Sequence, residues 1–547
     1  MVAAPKAGPA RRMPNPLGPA CNTSRANTGR SAVAPPIRAA RTAPAAMARG
    51  RRRASHRPNL RVDRPLPPVQ AWRGHIAYHP GPDPRSARPM PALRSHCARL
   101  LIALLPAVVP AVVPAAPALP PGSALQLPAI PYTERRLANG LQVIAAENHA
   151  SPTVSVQVWY HVGARDDPAG RSGFAHLFEH LMFKSTRYLK AEQFDRLTED
   201  VGGENNAFTS DDVTAYHEVV PSNHLQTLLW AEAERMSNLN VDEANFKSER
   251  AVVEEEYRQR VLASPYGRFF RGIAPASYLV HPYKRPSIGS IEDLEAATLA
   301  DVVAFHRDHY RPDNATLVVA GDFEPQQLQA WVDRYFGPLT HPAEPVPKVD
   351  AQEPPWPQDR SVRLTGPQVP LPAVALTWLA PPVTDADAPA LKVAAALLAA
   401  GKSSRLNQSL VYRQRLASDA GFEADLRAGP GLLTAYAIAA GGKPLTALEA
   451  ALMKEVLALT ERPPGAAELA RVKTGLLTAA VAERQTALGL GMALANAAVL
   501  EGGAAQVDRG LQQLQAVSAA DVQRVLRKYV VGRHHTTIRY VAEGSAP

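Results

Sequence analysis

The amino-acid sequence predicts an α+β chain built from two successive domains of roughly 200 residues that share one topology. Three observations predict it. The chain has 547 residues, 46% of them hydrophobic, which exceeds one ordinary domain and suffices for two sizeable cores. A stretch over 341–359 holds Pro342, Pro345, Pro347, Pro354, Pro355 and Pro357 and reads as a linker. On either side of it, the two segments end alike. Leu294…Thr298-Leu-Ala-Asp301-Val302 matches Leu514…Ser518-Ala-Ala-Asp521-Val522 at a constant offset of 220. Each leads into a helix with a tyrosine near its end, Tyr310 or Tyr529, and then a strand, 315–320 or 536–541. Chance similarity between amphipathic helices is the alternative.

The formal net charge of +10 suggests a nucleic-acid binder until it is located. Residues 1–120 carry 19 Lys+Arg against two acids, Asp63 and Asp83, which leaves 41 basic and 48 acidic residues beyond them. The basicity belongs to the leading segment, and no nucleic-acid motif accompanies it. Residues 1–89 are rich in Arg, Pro, Ala and Gly without apolar periodicity and read as a disordered extension. Met90 to Arg99 is short and basic, Leu100 to Val113 is uncharged and apolar, and Ala116-Pro117-Ala118 offers small residues. That order describes a signal peptide over 90–118, with translation from Met90, a mature chain from about Leu119, and a periplasmic or secreted location. An Ala/Pro/Val linker is the alternative. Pro106, Pro110 and Pro114 argue against a membrane span, so none is expected after processing. Cys21 and Cys97 both precede the globular region, which excludes a disulfide framework or a cysteine metal site there.

The first domain is expected over 130–340. Asn139-Gly140 marks a hairpin turn before a strand at 141–145, and 154–162 alternates as another strand. A helix then starts near Ser172. The second domain, 360–545, opens with a strand at 373–379 and an Ala/Leu-rich helix over 389–400.

The chemistry is carried by Phe174-Ala-His176-Leu-Phe-Glu179-His180. Histidines four apart face the same way on a helix, one turn apart, and can grip one zinc ion. Glu179, three after His176, lies near that face, where a carboxylate can take a proton from water activated by the metal. For this composition, random placement yields His-x-x-acid-His roughly 0.04 times. The alternative is two surface histidines. Zinc with two imidazoles needs a third protein ligand. A second helix runs from Asp242, a capping residue, through Phe246, Glu249, Val252, Val253 and Glu256 to Val261. At 100° per residue Glu256 shares the apolar face of Val252 and Val253, with Glu249 nearly in line and Glu254 pointing away. A carboxylate on a buried stripe needs a cation. Glu256 is the expected third ligand, Glu255 the next choice, and a solvated run of acids the alternative.

His-x-x-Glu-His is the inverzincin signature, and the surrounding segments resemble the pitrilysin, insulin-degrading and mitochondrial processing peptidase family over about 130–545. Leu137-Ala-Asn139-Gly140-Leu141 resembles its opening hairpin, and His176 to Thr186 its metal helix. Glu249 to Glu256 resembles its second-helix motif. Gly202-Gly203-Glu-Asn-Asn206-Ala207-Phe-Thr209 resembles its active-site edge strand, and Tyr310 to Asp322 the close of its first domain. The resemblance implies two domains of that type, each a mainly antiparallel sheet packed with helices. It implies a single zinc per chain on His176, His180 and Glu256, with Glu249 supporting the site from behind and Glu179 as general base. Asn206, Ala207 and Thr209 would offer backbone to an extended peptide. The implied function is a zinc-dependent endopeptidase acting on short or unfolded peptides; a non-catalytic structural subunit on the same fold is the rival.

The second domain has Ala390-Leu-Lys-Val-Ala-Ala-Ala-Leu-Leu where the metal helix would recur. Ser403-Ser404-Arg405-Leu406 resembles the family, but the Arg/Tyr pair that many members aim at the substrate carbonyl is replaced in register by Val411 and Ser418. Arg405 and Tyr412 have the right separation six residues early, as a substitute or as ordinary helix packing. The missing pair implies a paralogous partner that supplies it, in a heterodimer, or else a homodimer.

Overall fold

The computed structural model describes residues 128–545; the expected extension at 1–89 and signal peptide at 90–118 lie outside them. The first sheet contains β1 (Thr133–Arg136), β2 (Gln142–Glu147), β3 (Thr153–Tyr160), β4 (Glu204–Thr209), β5 (Thr214–Pro221) and β6 (Ala315–Gly321), in the order β1-β2-β6-β3-β5-β4. The second contains β7 (Arg360–Gly366), β8 (Ala373–Ala380), β9 (Ala417–Asp425), β10 (Gly431–Ala439) and β11 (Thr536–Ala542), in the order β7-β11-β8-β10-β9. Apart from β1, the two orders are one pattern. In each, a single parallel pair, β2 with β6 or β7 with β11, sits beside antiparallel pairs. The Asn139-Gly140 turn closes the β1–β2 hairpin, with Gly140 at φ +91°. There a side chain is strained, and a Cβ would also lie 2.7 Å from that of Asp313.

Helices α1 (Phe174–Leu181), α2 (Gln193–Glu199), α3 (Leu225–Asn238), α4 (Glu243–Tyr257), α5 (Gly267–Ser277), α6 (Ile291–Glu295), α7 (Leu299–His309) and α8 (Pro325–Tyr335) belong to the first half. Helices α9 (Ala388–Ala399), α10 (Leu445–Glu461), α11 (Ala466–Glu483), α12 (Ala487–Val499), α13 (Gln506–Ala516) and α14 (Ala519–Tyr529) belong to the second. The matched chain ends take the same local structure. Thr298 caps α7 and Ser518 caps α14, each in a reciprocal capping box with the aspartate three residues on, Asp301 or Asp521. Among the described residues no helix is long and apolar enough to cross a membrane.

Strand β3 is buried along nearly its whole length instead of alternating, because both faces of its sheet are covered. One face packs on the main first-half core, including Phe174, Phe178, Leu228 and Phe305. The other is covered by α12 from the second half, where Leu490 and Leu494 meet Ile144, Trp159 and Val318. The exchange is reciprocal. Helix α5 of the first half lies on the second sheet, where Phe269 meets Ala373, Ala375, Ile538 and Tyr540. Polar contacts fix this docking: Ser277 Oγ lies 2.8 Å from Thr377 Oγ1, and the Gln157 amide donates to Leu488 O at 3.0 Å. The segment at 341–359 has no regular secondary structure but is tied down. Glu353 accepts from the backbone N–H groups of Leu279, Val280 and His281 at 2.6–3.0 Å, and Trp356 is buried.

Candidate functional site

Helix α1 starts at Phe174. Asp167 accepts from Gly173 N at 2.7 Å and Ala175 N at 2.9 Å, which satisfies amides that a helix start leaves without partners. Tyr216 on β5 donates its hydroxyl to Phe178 O at 3.2 Å and holds the helix on the sheet. Helix α4 begins as expected: Asp242 accepts from Asn245 N at 2.8 Å. Its regular turns end at Tyr257 and continue as a wider turn over Arg258–Ala263. The apolar face is narrower than the periodicity suggested. Val253 is fully buried, but Val252 is 46% exposed, so the stripe that Glu256 borders is Phe246, Glu249 and Val253.

The structure brings His176, His180 and Glu256 together, with one ligand atom from each within 4.8 Å of the others. Glu256 Oε2 lies 3.5 Å from His176 Nε2 and 3.4 Å from His180 Nε2, and the two imidazole planes are nearly perpendicular, at 87°. Tetrahedral zinc with ligands at about 2.0–2.1 Å sets donors roughly 3.3–3.4 Å apart. The donor set and the two spacings to Glu256 therefore fit zinc. Glu255, the other candidate, is 55% exposed at its side chain and pairs with Arg258. Glu249 is buried behind His180, its Oε2 3.7 Å from Nδ1, and its Oε1 accepts from Lys184 Nζ at 2.8 Å.

The charges are consistent with this grouping. Burial pushes Glu256 up, but His180, His176 and Arg260 outweigh it and hold the carboxyl at about 2. Burial pushes His180 down, yet Glu249, Glu256 and Glu179 raise it to about 9. Burial dominates at His176 and lowers it. Burial would raise Glu249, but His180 and Lys184 bring it below the ordinary carboxylate range.

Glu179 lines the same cavity of about 240 Å³ as the three candidate ligands. Asn206, Ala207 and Thr209 line it too. They lie on β4, which pairs with β5 alone and ends the sheet, so its other edge has no strand beside it. Sequence reasoning missed four features here. Arg260 Nη1 grips the second oxygen of Glu256 at 2.6 Å, and Lys184 grips Glu249. Both sit four residues after a site residue, Glu256 or His180, and that spacing was the available signal. Phe183 and Phe208 supply apolar wall, which no short motif announces. In the second half, Arg405 forms a two-pronged pair with Glu468, both bonds 2.9 Å, while Tyr412 is 46% exposed. That arginine is engaged in packing α11.

Comparison with known proteins agrees with this architecture. Residues 142–279 match the family model described as insulinase (peptidase family M16), and 296–476 match the one described as the peptidase M16 inactive domain. The zinc protease PqqE of Helicobacter pylori is 37% identical over 328 residues, which is 60% of this chain and 73% of that protein. A probable mitochondrial-processing peptidase subunit beta of Arabidopsis thaliana is 25% identical over 403 residues, 72% of this chain and 75% of that one. The crystal structure of a protease from Helicobacter pylori superposes with a TM-score of 0.72 at 30% identity, covering 76% of this chain and all of that one.

Proposed function

Since the chain belongs to the insulinase (M16) family of peptidases, we propose that it is a zinc-dependent endopeptidase acting on short or unfolded peptides. The observation that carries this reading is the approach of Glu256 Oε2 to both His176 Nε2 and His180 Nε2 at tetrahedral-edge distances, beside Glu179 in one cavity. Zinc, when bound, supplies a Lewis acid that makes water a competent nucleophile near neutral pH. His176, His180 and Glu256 hold the ion, Glu249 orients His180, and Glu179 takes the proton from the attacking water and passes it to the leaving amine. The free edge of β4 at Asn206–Thr209 binds the peptide as an added strand, reading backbone more than side chains, which gives broad specificity.

The same reading extends to partners and place. The α9 helix carries no ligand, so a single zinc is held per chain. Because Arg405 is committed to Glu468, the Arg/Tyr function comes from a paralogous subunit, or from a second copy. The Arabidopsis relative is itself named as a beta subunit. The order of basic, apolar and small residues over 90–118 directs the chain to the periplasm or outside the cell, with a first domain over 130–340, a linker over 341–359 and a second domain over 360–545. Metal analysis together with a quenched-peptide assay tests the core of this. One zinc per chain and turnover abolished by chelator are expected. A folded protein that takes up no zinc at neutral pH, or cleaves with chelator present, sinks the proposal.

A further inference from the structure

The two halves meet at a point outside the metal cluster. The turn joining β4 to β5 abuts the turn joining β9 to β10, and these hairpins hold equivalent places in the two sheets. Asp212, on the first turn, is buried. Its Oδ1 accepts from Arg165 Nη1 at 2.7 Å and from the Tyr283 hydroxyl at 2.5 Å, and its Oδ2 accepts from Ala428 N, on the second turn, at 3.0 Å. The Tyr283 oxygen accepts in turn from Gly429 N at 2.9 Å. Arg427, also on the second turn and buried, lies 3.2 Å from Asp211 and 2.6 Å from Asp425. Its guanidinium stands 4.7 Å from the ring of Tyr283 and 5.5 Å from that of Tyr278. From the other side, Ala164 N and Arg165 N donate to Ser210 O and Asp211 O at 3.0 and 3.1 Å. Gly163 lies so close that a Cβ there would come within 2.5 Å of the Asp211 carbonyl carbon.

Burying such charges costs several kcal/mol per ion, so a buried cluster of this kind is weak evidence for stability, and Arg165 Nε and Arg427 Nη1 are buried without a hydrogen bond. Position matters at this turn. Asp211 and Asp212 follow Thr209, the last residue of β4, by two and three residues. A strand with one neighbour opens readily, yet accepting a peptide along its free edge needs its backbone groups already in line.

We propose that Asp212, Tyr283 and Arg427 form a clasp that positions the peptide-docking strand. On this account the metal-free half contributes to substrate binding through residues that touch neither metal nor peptide. The proposal rests on the peptidase reading for its kinetic consequence. Its structural consequence, a β4 held in place from the second half, stands apart from that reading.

The full-length, zinc-loaded protein supplies the test. Asp212→Asn keeps shape but removes the charge, and Tyr283→Phe removes one bridging hydroxyl. Both should retain zinc and a near wild-type kcat on a quenched peptide. KM should rise about tenfold for Asp212→Asn and about threefold for Tyr283→Phe. Amide exchange at 204–209 should quicken by similar factors while α1 and α4 keep their protection. Wild-type KM and wild-type exchange at 204–209 in both variants overturn the clasp, as does exchange that quickens equally in α1 and α4. If Asp212→Asn does not fold, Tyr283→Phe decides alone. Should the wild-type protein cleave no peptide, the peptidase reading fails, and exchange at β4 still decides whether the clasp holds the strand.

Discussion

Helices α1 and α9 follow equivalent strands, β3 and β8, in two sheets of the same order, yet they bury opposite chemistry. Helix α9 is twelve residues of Ala, Leu, Val, Lys and Pro, and Leu391, Val393, Leu397 and Leu398 disappear into the second core. Helix α1 is eight residues and turns His176 and His180 toward a carboxylate on α4. The difference teaches that this architecture does not need the polar cluster. The second half shows the position filled with hydrocarbon, the cheaper way to close a core. The first half gives up that burial and gathers two imidazoles and two carboxylates that hold together best around a cation.

Four tests would break or sharpen the contrast. The largest effect is expected from Glu179→Gln, which keeps the side-chain shape and lowers kcat by about 10²–10⁴ without loss of zinc; zinc loss instead would mean that base and ligand had been exchanged. Next, Glu256→Gln should weaken zinc by at least about a hundredfold in equilibrium dialysis, since nothing in α9 can replace the lost ligand.

The third concerns acid. Burial lowers His161, His217, His306 and His309 of the first half to about 4, whereas His534 and His535 of the second lie beside Asp359. A histidine depressed on folding contributes stability that is full above its unfolded pKa of about 6.5 and is lost as pH falls toward 4. Denaturant titrations should show the first half weakening first in that window. For His309, which is buried beside Phe305, replacement by Leu should flatten the drop between pH 7 and pH 5 by about 2 kcal/mol. An unchanged slope would mean that the imidazole takes up its proton as readily in the folded chain as in the unfolded one.

The smallest effect separates the two exchanged helices. A Cβ on Gly491 of α12 would lie 2.3 Å from Gln157 Nε2, and one on Gly272 of α5 would lie 2.4 Å from Leu364 Cδ1. Alanine recovers about 1 kcal/mol of helix propensity at either site, against a packing cost of about 1–3 kcal/mol. Gln157 is buried and bonded to Ser155, Trp159 and Leu488, so it cannot swing aside. Gly491→Ala should lose about 1–2 kcal/mol, and Gly272→Ala close to nothing. Equal losses would show that Leu364 is as immobile as Gln157.

Much of this was legible in the chain. Both capping boxes, the Asn139-Gly140 hairpin and the His-x-x-Glu-His turn are local, set by residues within a few positions of one another, and local chemistry survives any arrangement of the rest. That Glu256 and not Glu255 turns toward the two histidines was legible because helical period assigns each residue a direction. Val252 was misjudged because period shows which way a side chain points but not whether anything waits there. Arg260, Lys184, Phe183 and Phe208 left at most an i+4 spacing to follow.

By itself, then, the sequence determined the repeated topology, the start of α4 at Asp242 and the face that carries His176, His180 and Glu256. Tertiary structure alone decided three things: that α5 and α12 trade places to cover each other's sheets, that Asp212 and Arg427 join hairpins more than two hundred residues apart, and that Arg405 is spent on Glu468. The physical reason is common to all three. Hydrophobic periodicity says that a face must be buried, and a charge says that it needs a partner. Neither carries the address of the partner, which is settled only when the whole chain has packed.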